Sequence, residues 1–289
     1  MMQSIPYLFT KPCAYGAQLT TFKKVLYLFL FVNTLLMLPM VNSIFGQQGI
    51  AGSMGFMWNG TASFLNLLGH PAAYTRPYIA WFFIAGQLVA MVLGYFKVLP
   101  KLSAFALFFF TANLFSKGGL FFTGGEVLID ILLFYMIFLT ENETLSPVQN
   151  VVNNSIYYGL VIQICILYFF STFFKLYDPN WTSGKALTYV SEIPFYSTDW
   201  FYSLAHYSPI ASKIATISVL VYQGIFPIVV WIKQVKIPFL IFGVILHLGI
   251  AFGMGIFSFG IMMIISYLLF LDSSQIQKLS TKLTFKRNG

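Results

Sequence analysis

The sequence predicts an all-α integral membrane protein, a bundle of about eight transmembrane helices with both termini cytoplasmic. Three observations carry this. Of 289 residues, 58% are hydrophobic and only 8% charged, with a mean hydropathy of +0.79. Soluble domains carry about 25% charged residues, so lipid must solvate much of this surface. The apolar runs approach the ~20 residues that a hydrocarbon core of ~30 Å requires. The basic residues gather in the short links between runs, so the net charge of +8 reads as membrane topology and not as nucleic-acid binding.

Residues 1–21 form a cytoplasmic segment. Pro6, Lys11 and Pro12 interrupt any apolar core of a cleavable signal peptide, so the first apolar run stays as an anchor. The expected spans are residues 22–45, 78–96, 102–115, 120–140, 156–176, 211–232, 237–255 and 257–271, within a membrane region of 22–272. The third and last are short. The stretch from Lys236 to Asp272 is too long for one span, and Gly253, Gly255 and Gly260 mark a break in it. Residues 273–289 form a basic cytoplasmic tail.

Lysines set the orientation. With the N-terminus inside, the inside links hold Lys11, Lys23, Lys24, Lys97, Lys101, Lys233, Lys236, Lys278, Lys282, Lys286 and Arg287. Arg76, Lys117, Lys175, Lys185 and Lys213 fall outside or at span ends. The inside link 141–154 has no basic residue. Two long outside loops are expected, 46–77 and 178–210, the second rich in Trp and Tyr that suit the headgroup layer. Cys13 and Cys165 have no zinc or disulfide spacing, and no phosphate loop or repeat is present.

Few polar groups stand in or near the spans. Glu126 and Asp130 lie four apart on one helical face. They read as a proton-handling pair, or Glu126 simply favours a helix N-terminus after Gly124-Gly125. Asp130 needs a partner, for which Lys117 and Lys175 are candidates. Lys175 ends the run at 156–176. It is either a base made active by an apolar site or a lysine snorkelling to the headgroups, with Asp178 close enough to pair with it. His247 sits mid-span, as a hydrogen-bonded helix contact or a proton-transfer group. His70 and His206 lie in the outside loops.

Ordered motifs give a family resemblance. Tyr168, then Lys175-Leu176, then Trp181, Gly184 and Ala186-Leu187 with Tyr189, resemble the horizontally transferred transmembrane (HTTM) superfamily, as do Leu246-His247-Leu248 through Met262 and Gly124-Gly125-Glu126. The resemblance covers about residues 105–271. This superfamily includes the vitamin K-dependent gamma-glutamyl carboxylases and a short bacterial branch required for maturation of a secreted sporulation-delaying toxin, which this chain resembles most. The resemblance implies a bacterial inner-membrane protein, with Lys175 as a carboxylase-like base and His247 beside it. It also implies a quinone, near Asp130, Glu126 and Trp181, and as partners a secreted peptide and other membrane maturation proteins. Carboxylation itself is not expected, because Gly125 stands where the carboxylase has a histidine. A non-catalytic scaffold or immunity partner and a lipid or small-solute transporter are the alternatives.

Overall fold

The computed structural model describes residues 5–46, 49, 77–117 and 123–285. Most of the expected outside loop 46–77, with His70 and Arg76, lies outside the described residues, as does the side chain of Lys117. The described residues are helical throughout and contain no strand. Five helices are long and apolar enough to cross a membrane: Gly16–Phe45, Tyr78–Tyr95, Pro147–Leu176, Pro209–Val229 and Lys233–Gly253. Large apolar side chains lie on the outside, Phe174 at 67%, Leu36 at 64% and Ile245 at 63% exposure. Such a surface suits hydrocarbon and not water.

The chain divides into two compact units, Met1–Ile156 and Tyr157–Gly289. The first holds α1 (Ile5–Thr10), α2 (Gly16–Met37), α3 (Val41–Phe45), α4 (Pro77–Tyr95), α5 (Pro100–Lys117), α6 (Gly124–Phe138) and the start of α7 (Pro147–Leu176). Its core includes Val41, Phe45, Ala80, Phe83, Ile84 and Leu114, with Phe109 and Phe110 packed against it. A buried chain of neutral groups joins three helices: Thr34 Oγ1 donates to Gln87 Oε1 at 3.0 Å, and Gln87 Nε2 donates to Thr111 Oγ1 at 2.9 Å.

Helix α7 starts at Pro147, nine residues before the apolar run. Ser146 and Gln149 explain the early start. Ser146 N donates to Gln149 Oε1 at 2.9 Å and Gln149 N to Ser146 Oγ at 3.3 Å, a capping box with proline at the first helical position. The polar first turns are used structurally. Asn154 Nδ2 donates to the carbonyls of Phe9 and Lys11, both at 2.8 Å, and Asn150 Oδ1 accepts from Cys13 N at 2.9 Å. Asn153 exchanges two hydrogen bonds with the backbone of Thr140. The N-terminal segment is thereby tied down, and burial pushes the Cys13 thiol above its ordinary pKa. Both cysteines are free.

The second unit contains the rest of α7, then α8 (Pro179–Thr182), α9 (Ala186–Ser191), α10 (Asp199–Tyr207), α11 (Pro209–Val229), α12 (Lys233–Leu248), α13 (Phe257–Ser266) and α14 (Ser273–Phe285). The stretch 178–210, expected as a loop, is mostly short helices. Proline at the first turn starts α8, with Asp178 Oδ1 accepting from Asn180 N at 2.9 Å. Helix α12 runs into a π turn at Gly249–Gly253 and reverses at Gly255, whose φ of +69° favours glycine. The expected break is therefore real. Thr198 fastens it, its N and Oγ1 both donating to the Gly253 carbonyl at 3.0 and 2.8 Å. At the far end of this hairpin Lys236 Nζ meets Asp272 Oδ1 at 3.1 Å.

Candidate functional site

The second unit holds a buried phenol–imidazole centre. Tyr168 of α7, Tyr222 of α11, His247 of α12 and Tyr267 after α13 are each at most 4% exposed. Tyr168 Oη lies 2.7 Å from His247 Nε2 and 2.6 Å from Tyr267 Oη, and Tyr222 Oη lies 2.9 Å from Tyr267 Oη. Four side chains thus form one linear chain of three hydrogen bonds. Two proton orders satisfy it. If each phenol donates toward the histidine, Nε2 accepts and Nδ1 carries the proton. If Nε2 donates, every hydrogen bond reverses and the Tyr222 proton points away from the chain. His247 Nδ1 is buried with no partner in either case.

Packing holds the chain in place. The Tyr168 ring stacks on Phe226 at 4.0 Å, and the Tyr222 ring on Phe239 at 4.5 Å. Gly243 makes the room: a Cβ there would run into the hydroxyls of both Tyr222 and Tyr267. A hollow of about 310 Å³ borders the centre, lined by Tyr222, Ser218, Val221, Ile225, Phe239 and Phe242 among others.

Lys175 lies seven residues past Tyr168 on the same face of α7, ~10 Å along the helix axis. Its amine curls back onto its own helix, donating to Ser171 Oγ at 2.6 Å and to the Ser171 carbonyl at 3.4 Å. Ser171 Oγ in turn donates to Gln223 Oε1 of α11 at 3.2 Å. The Trp181 ring covers the amine, with its centroid 4.9 Å away, a cation–π contact. Asp178 Oδ1 serves the α8 cap, and the amine meets Ser171 and Trp181. The 310 Å³ hollow is not lined by Lys175.

The other residues read from the sequence fall elsewhere. Glu126 caps α6: its Oε2 accepts from Thr123 N at 2.7 Å and from Thr123 Oγ1 at 2.9 Å, and Thr123 Oγ1 accepts from Gly125 N at 3.2 Å. The capping reading of Glu126 is the one this geometry fits. Asp130, one turn on, is half-buried, and its Oδ1 has no hydrogen-bond partner. His206 stacks on Tyr202 and stands 3.5 Å from Glu192.

These positions do not suit the quinone that the resemblance implies. The Glu126 carboxylate is engaged by Thr123 and one face of Trp181 by Lys175, so neither is left open to a ring or a carbonyl at those contacts.

Tyr168 was read from the sequence only as part of the family motif, and Tyr222 and Tyr267 were not singled out. One signal was available: a phenol inside an apolar run needs a hydrogen-bond partner, and Tyr168 shares a helix face with Lys175. Tyr222 and Tyr267 join only through the packing of three further elements. Protein-family models, curated proteins and solved structures give no match to this chain.

Proposed function

We infer that this chain is a multi-pass protein of the bacterial inner membrane, of HTTM type, that assists the modification, maturation or export of a secreted peptide. In this reading the five membrane-length helices and the shorter α5, α6 and α13 make eight crossings with both ends cytoplasmic. The contacts of Glu141 with Lys23 and Lys97 support putting the 141–154 link on the same side as those lysines. One observation carries the functional reading. Within the apolar helices of the second unit, a polar stripe runs from Lys175 through Ser171 and Gln223 to the level of Tyr168 and His247. Polar groups at membrane depth are costly and mark functional paths.

Lys175 is the proton acceptor in this reading. Neutral, its amine takes a proton from the substrate. The resulting ammonium finds Ser171 Oγ, the Ser171 carbonyl and the Trp181 face already in position, which favours proton uptake. Deeper in the unit, a proton supplied at the Tyr222 hydroxyl by a substrate group or water would pass along the phenols to His247 Nε2, with every hydrogen bond reversing. It would return by the same path, since Nδ1 has no partner to take it on.

The packing alternative also has a specific observation behind it. A lysine in the last turn of a helix sits where the helix favours positive charge, and Lys175 is held there by contacts within its own helix and with Trp181. The variant Lys175→Met separates the two. It would be expressed with the neighbouring genes, and secreted peptides followed by mass spectrometry alongside the membrane level of the protein. The enzymatic reading expects a peptide mass to disappear at an unchanged protein level. An unaltered peptide profile, or a change that tracks protein loss, would leave the packing role.

A further inference from the structure

In the first unit an apolar groove of about 310 Å³ lies between α2 and α4, lined by Tyr27, Leu28, Phe31, Val92, Tyr95 and Phe96 among others. Its lining is outward-facing: Leu28 is 55% and Phe96 70% exposed. A groove on a lipid-facing surface holds an acyl chain by default. The charges at its end make it selective.

The residue after Phe96 is Lys97. Its side chain is 47% exposed, and its amine stands 3.7 Å from Glu141 Oε1. The other carboxylate oxygen is already held by Lys23, which is buried. The Lys23 amine also lies 5.5 Å over the ring of Tyr27, a groove residue. Lys101 bonds the carbonyls of Phe138 and Leu139, just before Glu141, and adds a third positive charge. One carboxylate therefore faces three ammonium groups. The cluster keeps a net positive charge, and the half-exposed Lys97 presents part of it outward.

The backbone fixes this lysine. Lys97 has φ 59° and Leu99 φ 46°, the left-handed region that side-chain-bearing residues adopt at a cost. The turn is locked by Lys97 N to Gly94 O at 3.3 Å and Val98 N to Leu93 O at 2.8 Å. Such conformations persist where the surroundings over-determine them.

We propose that this groove and its lysine rim bind one anionic phospholipid, an acyl chain lying along Tyr27, Phe31 and Tyr95 and the phosphate on Lys97. A zwitterionic lipid fills the groove equally well but brings its own cation to a rim that already has a surplus.

The test is native mass spectrometry of the full chain in mild detergent, with equal amounts of phosphatidylglycerol and phosphatidylcholine of matched chains. The wild type is expected to retain one phosphatidylglycerol in preference. Lys97→Gln lowers that preference about fivefold, the value of one basic residue at a lipid surface. Lys233→Gln, which removes one charge elsewhere, leaves it unchanged. Val92→Trp, at a half-exposed position, fills the groove and abolishes retention of that lipid. Equal retention of the two lipids by the wild type would overturn the proposal, as would equal losses in Lys97→Gln and Lys233→Gln. The first result would mean that the groove takes lipid without reading its charge, and the second that positive charge attracts anionic lipid without a site.

Discussion

Both units keep charges at helix ends and neutral groups inside, with Thr34, Gln87 and Thr111 chained in the first and Lys236 paired with Asp272 in the second, but they differ in which of the two they develop furthest. The first uses full charges near helix ends, with Lys23 and Glu141 in direct contact and Lys97 and Lys101 around them. The second uses neutral groups in its interior, three phenols and an imidazole in one chain. The difference follows from the cost of burial. An ion pair is tolerable where water and headgroups are near. In the interior an uncharged hydrogen-bonded group is far cheaper. The first arrangement fixes helix ends, and the second leaves a proton chain that can reverse.

The comparison is tested most severely at Glu141. Glu141→Gln strands the buried Lys23 ammonium without its counter-charge, a loss of about 3–5 kcal/mol, read as a large fall in thermal stability in detergent. A small effect would mean that Lys23 reaches water and that the first unit does not bury its charge. Tyr168→Phe is the matching change in the second unit. It removes two hydrogen bonds and leaves His247 Nε2 and the Tyr267 hydroxyl to re-pair, at about 1–2 kcal/mol, the scale of interhelical hydrogen bonds in membranes. A cost as large as that of Glu141→Gln would erase the distinction between the two strategies. Thr123→Ala sharpens the reading of Glu126 and is the smallest change. Loss of the cap costs about 1 kcal/mol and should be reproduced by Glu126→Ala. If Glu126→Ala cost much more than Thr123→Ala, Glu126 would have a role beyond the helix end.

Much of the fold was legible in the sequence, and the misreadings have identifiable causes. Hydropathy placed four of the five membrane-length helices to within about six residues but started α7 at 156, nine residues late. The asparagines at 150, 153 and 154 look like a link, yet they serve as side-chain partners for the N-terminal segment and Thr140. The stretch 178–210 looked like a loop because its helices are only four to nine residues long, too short for a periodic signal. Glu126 was legible as a cap because a capping box is local. Lys175 was legible as an unusual lysine. That its amine turns to Ser171 and Trp181 and not to Asp178 was not legible, since this depends on where α8 places its N-cap.

The sequence by itself determined the solvent of this protein, because too few charges and runs of membrane length admit only a largely lipid-facing surface. It also determined the break at Gly255 and the helix start around Glu126, which depend on neighbours in the chain. Tertiary structure alone decided that Tyr168, Tyr222, His247 and Tyr267 share one hydrogen-bonded chain. Each is an ordinary residue in its own helix. Their meeting rests on packing between helices far apart in sequence and on the missing side chain of Gly243, information that no single segment carries.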